Sequence, residues 1–138
     1  MRYLTRFLLS ATFFLSFIGQ GLAAATDPLV INMTTNEEHR SAMAIGFGKS
    51  QLDRGHPLTL FLNDKGVLLA SKVNAAKYAN QQKILSELVA KGAVVLVCPT
   101  CIKHYNVQES DLLPGLKVSN PELTGGALFQ DNTKALSW

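Results

Sequence analysis

The run Ala93-Val94-Val95-Leu96-Val97, followed at once by Cys98-Pro99-Thr100-Cys101, constrains the fold more than any other stretch of this chain. Small and branched apolar residues in unbroken succession read as a buried strand, the kind found in parallel sheets. Proline is favoured at the first position of a helix, so Cys98 would act as the residue capping a helix start. A thiolate there faces free backbone N–H groups and the positive end of a helix dipole, which lowers its pKa and makes it reactive. The chain has 2 cysteines, and both fall at this strand end. That spot is the natural place to look for chemistry.

The rest of the sequence alternates strand and helix signals. Residues 28–33 are apolar and branched, a first strand. Thr35 or Asn36 can cap a following helix, with Glu37 and Glu38 complementing its dipole, Ala42, Ile45 and Leu52 toward the sheet, and Gly55 as its stop. Residues 57–62 form a second strand, closed by the turn Asn63-Asp64-Lys65-Gly66. Residues 67–70 extend or re-enter the sheet. A second helix over 81–91 places Ile84, Leu85 and Leu88 on one face and ends at Gly92. After the cysteine strand come a short helix to about residue 105, a loop at Leu113-Pro114-Gly115 and an extended piece over 116–118. A helix over 121–129 and a last strand over 133–138 follow. Such alternation implies right-handed crossovers and a mostly parallel sheet covered on both faces. Ligands of such folds meet the carboxyl ends of the strands, where residues 34–36 and 63–66 would wall the site around Cys98.

The N-terminus reads as a secretory signal. Arg2 and Arg6 form a positive start, residues 7–18 are almost wholly apolar, and small residues follow at Gly21, Ala23, Ala24 and Ala25. Cleavage after Ala23 or Ala25 would release a periplasmic protein, with residues 26–138 as its single domain. No cysteine follows the small-residue box, so a lipid anchor is not indicated. Residues 7–25 approach the length of a membrane span, which keeps an uncleaved anchor as the alternative; after cleavage no membrane association is expected. The net charge of +3 owes much to this segment. Of the 13 basic residues, Arg2 and Arg6 lie in it, leaving 11 against 10 acidic residues. No basic block survives, so nucleic-acid binding has no electrostatic support.

Several patterns are decoys. Gly46-Phe47-Gly48-Lys49-Ser50 lacks the upstream glycine of a phosphate loop and falls late in a helix; its glycines suit close helix packing. Glu37-Glu38-His39 reads as a solvated first turn. Asn32-Met33-Thr34 matches a glycosylation sequon at an expected buried strand end. Haem attachment requires histidine directly after the second cysteine, and Ile102 stands there. Trp138 and the Phe129 segment suit either core closure or a neighbouring subunit.

The first apolar strand and helix, then Leu58-Thr59-Leu60-Phe61-Leu62-Asn63-Asp64-Lys65-Gly66-Val67, then Val94-Val95-Leu96-Val97-Cys98-Pro99-Thr100-Cys101, together resemble the DsrE/DsrF family of small sulfur-relay proteins. The resemblance covers nearly all of the chain after the signal. It implies a three-layer α/β/α sandwich around a mostly parallel sheet of about five strands. It also implies a homo-oligomer, a trimer or hexamer, and an active thiol that carries sulfur as a persulfide between donor and acceptor proteins. The family cysteine falls on Cys98, and the second cysteine of some members falls on Cys101. Many relatives carry an Arg-Gly pair a few residues later, where this chain has His104-Tyr105-Asn106. Most well-known members are cytoplasmic, whereas this chain begins with an export segment.

The two cysteines admit several uses. A structural disulfide is one, but a four-residue loop yields only about 1.9 kcal/mol in the chain-entropy model, against about 3 for fifteen residues. A bridge so short is a weak staple, which favours a functional thiol pair. Reduced, Cys98 would accept a sulfane sulfur, Cys101 would resolve the persulfide, and His104 would stabilise the thiolate. Oxidised at rest, the pair would perform dithiol–disulfide exchange. A thioredoxin fold is the rival for any C-x-x-C, but two strand–helix units precede the motif here. A binding module without turnover is the alternative: Cys98, Cys101 and His104 at three-residue spacing would hold copper or zinc, with His39 or His56 recruited by the fold. A subunit that keeps the fold for assembly alone is a third possibility. No diffusible organic cofactor is expected.

Overall fold

The computed structural model describes residues 26–138. The expected signal segment lies outside the described residues. Five strands, β1 (Leu29–Met33), β2 (Leu58–Leu62), β3 (Val94–Val97), β4 (Lys117–Val118) and β5 (Lys134–Ser137), form one sheet in the order β4-β3-β2-β1-β5. Every pairing is parallel. The helices are α1 (Glu38–Leu52), α2 (Ala75–Ala90), α3 (Pro99–His104) and α4 (Pro121–Leu128).

Steps from β1 through β4 all run in one direction, so right-handed crossovers place α1, α2 and α3 on a single face. There α1 packs against α2. The return from β4 to β5 crosses the whole sheet the other way and carries α4 over the opposite face. The inner face holds the core: Ile31, Met33, Leu60, Leu62, Val95 and Val97 alternate along the strands and meet Ala44, Ile45, Leu85 and Leu88 from the helices. Each large aliphatic side chain so buried contributes roughly 1.5–3 kcal/mol. On the other face Val30 and Leu96 are also buried, yet α4 buries no residue of its own. The third layer is present but thin. Val94, Leu123, Leu128 and Phe129 stay exposed on it, Phe129 at 87%.

Several local expectations are corrected. Residues 67–70 do not join the sheet; they finish a 3-10 segment, Asp64–Ala70. Short apolar runs do not declare their period, and Val67, Leu69 and Ala70 bury themselves as well in this form. The second helix begins at Ala75 rather than residue 81, because its alanine-rich first turns are helical without being apolar on one side. A break at Tyr78 (φ −119°, ψ 24°) separates the two stretches. Helix α1 is capped by Glu37, whose carboxylate accepts from the N–H groups of His39 and Arg40 at 3.0 and 2.7 Å, not by Thr35 or Asn36. Those bonds hold the Glu37 carboxyl below its usual range. Ala42 is exposed; the buried side of α1 runs through Ser41, Ala44, Ile45 and Gly48, and Ala42 lies off that stripe. Gly48 does permit close packing, since a Cβ there would stand 3.1 Å from both Ile31 and Leu58 side chains, whereas Gly46 faces open space. Trp138 packs on the core and against Phe47, ring centroids 5.9 Å apart.

Candidate functional site

The site is built where β2 and β3 end side by side. Past Val97 the ladder continues one residue, with the Cys98 N–H donating to the Leu62 carbonyl at 3.0 Å. Cys98 is extended (φ −64°, ψ 118°), and Pro99 takes the first helical position of α3. The Ile102 N–H bonds the Cys98 carbonyl at 3.0 Å, and the buried Ile102 side chain pins the helix to the core. The Cys101 N–H then donates to Cys98 Sγ at 3.3 Å. Helix α3 has six residues, so this one aligned N–H, rather than a long helix dipole, is what the fold offers the Cys98 sulfur. Cys98 and Cys101 are paired as a disulfide with Cα atoms 5.2 Å apart. Both are half-buried on the core edge.

From the neighbouring strand end, Asn63 and Asp64 close over Cys101. Asn63 Oδ1 stands 3.0 Å from Cys101 Sγ, and the Asp64 N–H points at the same sulfur from 3.3 Å. Asp64 adopts a positive φ of 41°. The turn is fixed by the Asn63 N–H on the Met33 carbonyl and the Gly66 N–H on the Asn63 carbonyl, both 2.8 Å. Gly66 is demanded by closeness: a Cβ there would fall 2.3 Å from the Met33 carbonyl oxygen. The Tyr105 hydroxyl donates to the Asp64 carboxylate. That bond, with burial second, raises the Tyr105 pKa above its ordinary value.

A model of the DsrE/DsrF-like family matches residues 28–131. The chain belongs to the DsrE/DsrF-like family. An uncharacterized protein of Methanocaldococcus jannaschii is 30% identical over 92 residues, which is 66% of this chain and 81% of that protein. Among solved structures, a protein of unknown function from Methanobacterium thermoautotrophicum superposes with a TM-score of 0.65 at 15% identity, covering 80% of this chain and 98% of the other. The ychN protein from E. coli gives a TM-score of 0.57 at 18% identity over 82% of this chain and 99% of that chain. These structural neighbours share the fold, and the five-stranded parallel sheet with its helices is the architecture that the resemblance implied.

In this DsrE/DsrF-like chain, Cys98 and Cys101 come together as the spacing required, but His104 does not join them. Its exposed ring stands edge-on to Tyr105 with centroids 4.7 Å apart, and it makes no hydrogen bond to either sulfur among the described residues. Among those residues no group of three or more His, Cys, Asp and Glu side chains is gathered to hold a metal ion. His39 is exposed on the first turn of α1. His56 sits at the opposite end of the sheet, its Nδ1 2.9 Å from the Asp27 carbonyl. The 63–66 turn does wall the thiols. Residues 34–36 are tied elsewhere: the Thr34 N–H and hydroxyl both bond the Trp138 main-chain oxygen, at 2.8 and 2.6 Å, and Asn36 donates to the Tyr78 hydroxyl at 2.7 Å. Sequence reasoning passed over Tyr105. The one available signal was its position one turn after Cys101, on the face where the 63–66 turn arrives.

Proposed function

We propose that this chain is an exported sulfur carrier or thiol-redox protein in which Cys98 accepts sulfur and Cys101 resolves it. The single observation that carries the reading is the placement of both sulfurs at one strand end, each receiving a backbone N–H, Cys98 from Cys101 and Cys101 from Asp64. In the reduced form the Cys98 thiolate attacks the outer sulfur of a donor persulfide, R–S–SH. The donor S–S bond breaks, RS⁻ leaves, and a Cys98 persulfide forms. An acceptor thiolate can then take the outer sulfur and return Cys98 to a thiolate. Otherwise the Cys101 thiolate attacks Cys98 Sγ, forms the intramolecular disulfide and expels HS⁻; a dithiol reductant must then supply two electrons to reopen the pair. The disulfide seen in the structure favours dithiol–disulfide exchange as the second reading.

The partners in this reading are sulfur donor and acceptor proteins. Arg2, Arg6 and the apolar stretch behind them support export to the periplasm. The thin third layer, with Leu123, Leu128 and Phe129 exposed, supports assembly into a homo-oligomer.

The test uses the reduced mature chain, a small-molecule persulfide donor and intact mass. Cys101→Ala is expected to gain and keep one sulfur atom. Cys98→Ala gains none, and the wild type ends at the disulfide mass with sulfide released. A gain that depends on Cys101 alone, or no gain in any form, contradicts the proposal. Retained copper or zinc with an unchanged mass would favour the non-catalytic binding module instead.

A further inference from the structure

The contacts around Cys101 extend the reading above and rest on its division of labour between the two thiols. We infer that Tyr105 is a positioning residue: its hydrogen bond to the Asp64 carboxylate keeps the Asp64 N–H and the Asn63 side chain aimed at Cys101 Sγ, and so sets the rate at which Cys101 resolves an adduct on Cys98.

Three observations converge on it. The receiver is two-sided: in the reduced chain Asn63 Oδ1, 3.0 Å from Cys101 Sγ, can accept a thiol S–H, while the Asp64 N–H, bonded to Asn63 Oδ1 at 2.8 Å, also points at the sulfur from 3.3 Å, where a thiolate or a bridged sulfur can share it. A residue that passes between those states needs both. The Asp64 backbone holds a positive φ of 41°, a region that an ordinary residue occupies only when its surroundings impose it. Two main-chain bonds, from Asn63 to Met33 and from Gly66 to Asn63, fix the strand side of that turn. The solvent side is fixed by the Tyr105 hydroxyl on the Asp64 carboxylate. Tyr105 in turn is tied back to the thiol helix, its N–H donating to the Cys101 carbonyl at 2.9 Å, and its ring packs on the core edge. The contacts form a closed loop from Cys101 through Tyr105 and Asp64 back to Cys101 Sγ. Asp64 is exposed, so without the phenol its carboxylate would turn to water and the loop would open.

The test follows glutathione disulfide reacting with the reduced chain by acid quench and intact mass. The Cys98 thiolate attacks one glutathione sulfur, the S–S bond breaks, and glutathione thiolate leaves a mixed disulfide on Cys98. The Cys101 thiolate then attacks Cys98 Sγ, displaces the second glutathione and closes the internal bridge. In Tyr105→Phe the mixed disulfide is expected to last about tenfold longer, the effect of losing one hydrogen bond to a charged group, with its rate of formation unchanged. Asp64→Gly keeps the positive φ and the amide but removes the carboxylate, and should match Tyr105→Phe. Asp64→Asn still accepts from the phenol through a neutral oxygen and should bring the lifetime most of the way back to wild type. The Tyr105→Phe, Asp64→Gly double variant should be no slower than either single change. An unchanged lifetime in Tyr105→Phe, equal slowing of both steps, or no mixed disulfide even in Cys101→Ala overturns the inference. Glutathione exchange involves no sulfane sulfur, so a failed sulfur-loading experiment and a failed positioning role give different results.

Discussion

The two ends of the sheet are built on opposite plans. At the amino end, Leu29, Phe47, Leu136 and the stem of Gln51 line a largely apolar cleft of about 230 Å³, flanked by the His56–Asp27 contact and a 3.8 Å ion pair between Lys134 and Asp27. It holds shape and no nucleophile. At the carboxyl end the thiols sit on an open rim beside a polar groove formed by Lys103, Asn106, Gln108 and Glu109. It holds the two sulfurs, and its groove, of about 390 Å³, is lined mainly by polar atoms. An apolar cleft suits a small molecule that must be stripped of water. An open rim suits a sulfur atom handed over by another protein's thiol, which brings its own surface to the encounter. In the proposed function the chemistry follows the strand ends rather than the apolar cleft.

The sharpest way to break that contrast is to remove one group from each end. Cys98→Ala is expected to lower sulfur uptake by at least about a hundredfold, since the nucleophile itself is lost, while His56→Ala leaves uptake unchanged; a sulfane-sulfur loading assay reads both. Gly66→Ala comes next. The new Cβ would press on the Met33 carbonyl backbone, so about 2–3 kcal/mol of stability should disappear in urea unfolding, together with the turn that faces Cys101. A smaller effect sits at the start of α1. The Glu37 carboxyl titrates below its usual range because the Arg40 and His39 N–H groups bond its charged form. Its contribution is therefore complete above the ordinary carboxylate pKa and fades as pH falls through the lowered folded value. An acid unfolding series should show less of that loss in Glu37→Ala. The smallest effect on folding is Phe129→Ser, expected within about 0.5 kcal/mol because the ring is exposed. In the oligomer reading the same change should shift the mass measured by light scattering toward the single chain.

The sequence and the structure agree best where one physical signal dominates. The unbroken apolar run of β3 and the alternating inward residues of β1 and β2 left little freedom. The glycine stops also held, with φ of 97° at Gly55 and 92° at Gly92. Agreement fails where two weak signals compete. Thr35 and Asn36 are better caps by type than Glu37, but Thr35 is spent accepting the Glu37 N–H and Asn36 is drawn to Tyr78 across 42 positions. The 67–70 run had no period to read. At the site, the closeness of Cys98 to Cys101 is legible in their spacing, because three residues across a strand-to-helix turn bring the Cα atoms within disulfide range; that the pair is bridged is not. The contacts of Asn63 and Tyr105 are not legible there, because Asn63 meets Cys101 Sγ from the end of β2, 38 positions away, and Tyr105 bonds the Asp64 carboxylate, 41 positions away. His104 shared the three-residue spacing and still lies against the Tyr105 ring, since six residues at 3.6 per turn leave it about 120° around the helix from Cys98.

The proposed function divides the work between two sulfurs: Cys98 would meet the incoming partner, while Cys101 is held by Asn63 and Asp64. Substoichiometric alkylation of the fully reduced chain with iodoacetamide, followed by peptide mapping, measures that division directly. The predicted result is label concentrated on Cys98 in the wild type, with Cys101 labelling rising only when Asn63→Ala opens the receiver. Label concentrated on Cys101 in the wild type would contradict the account.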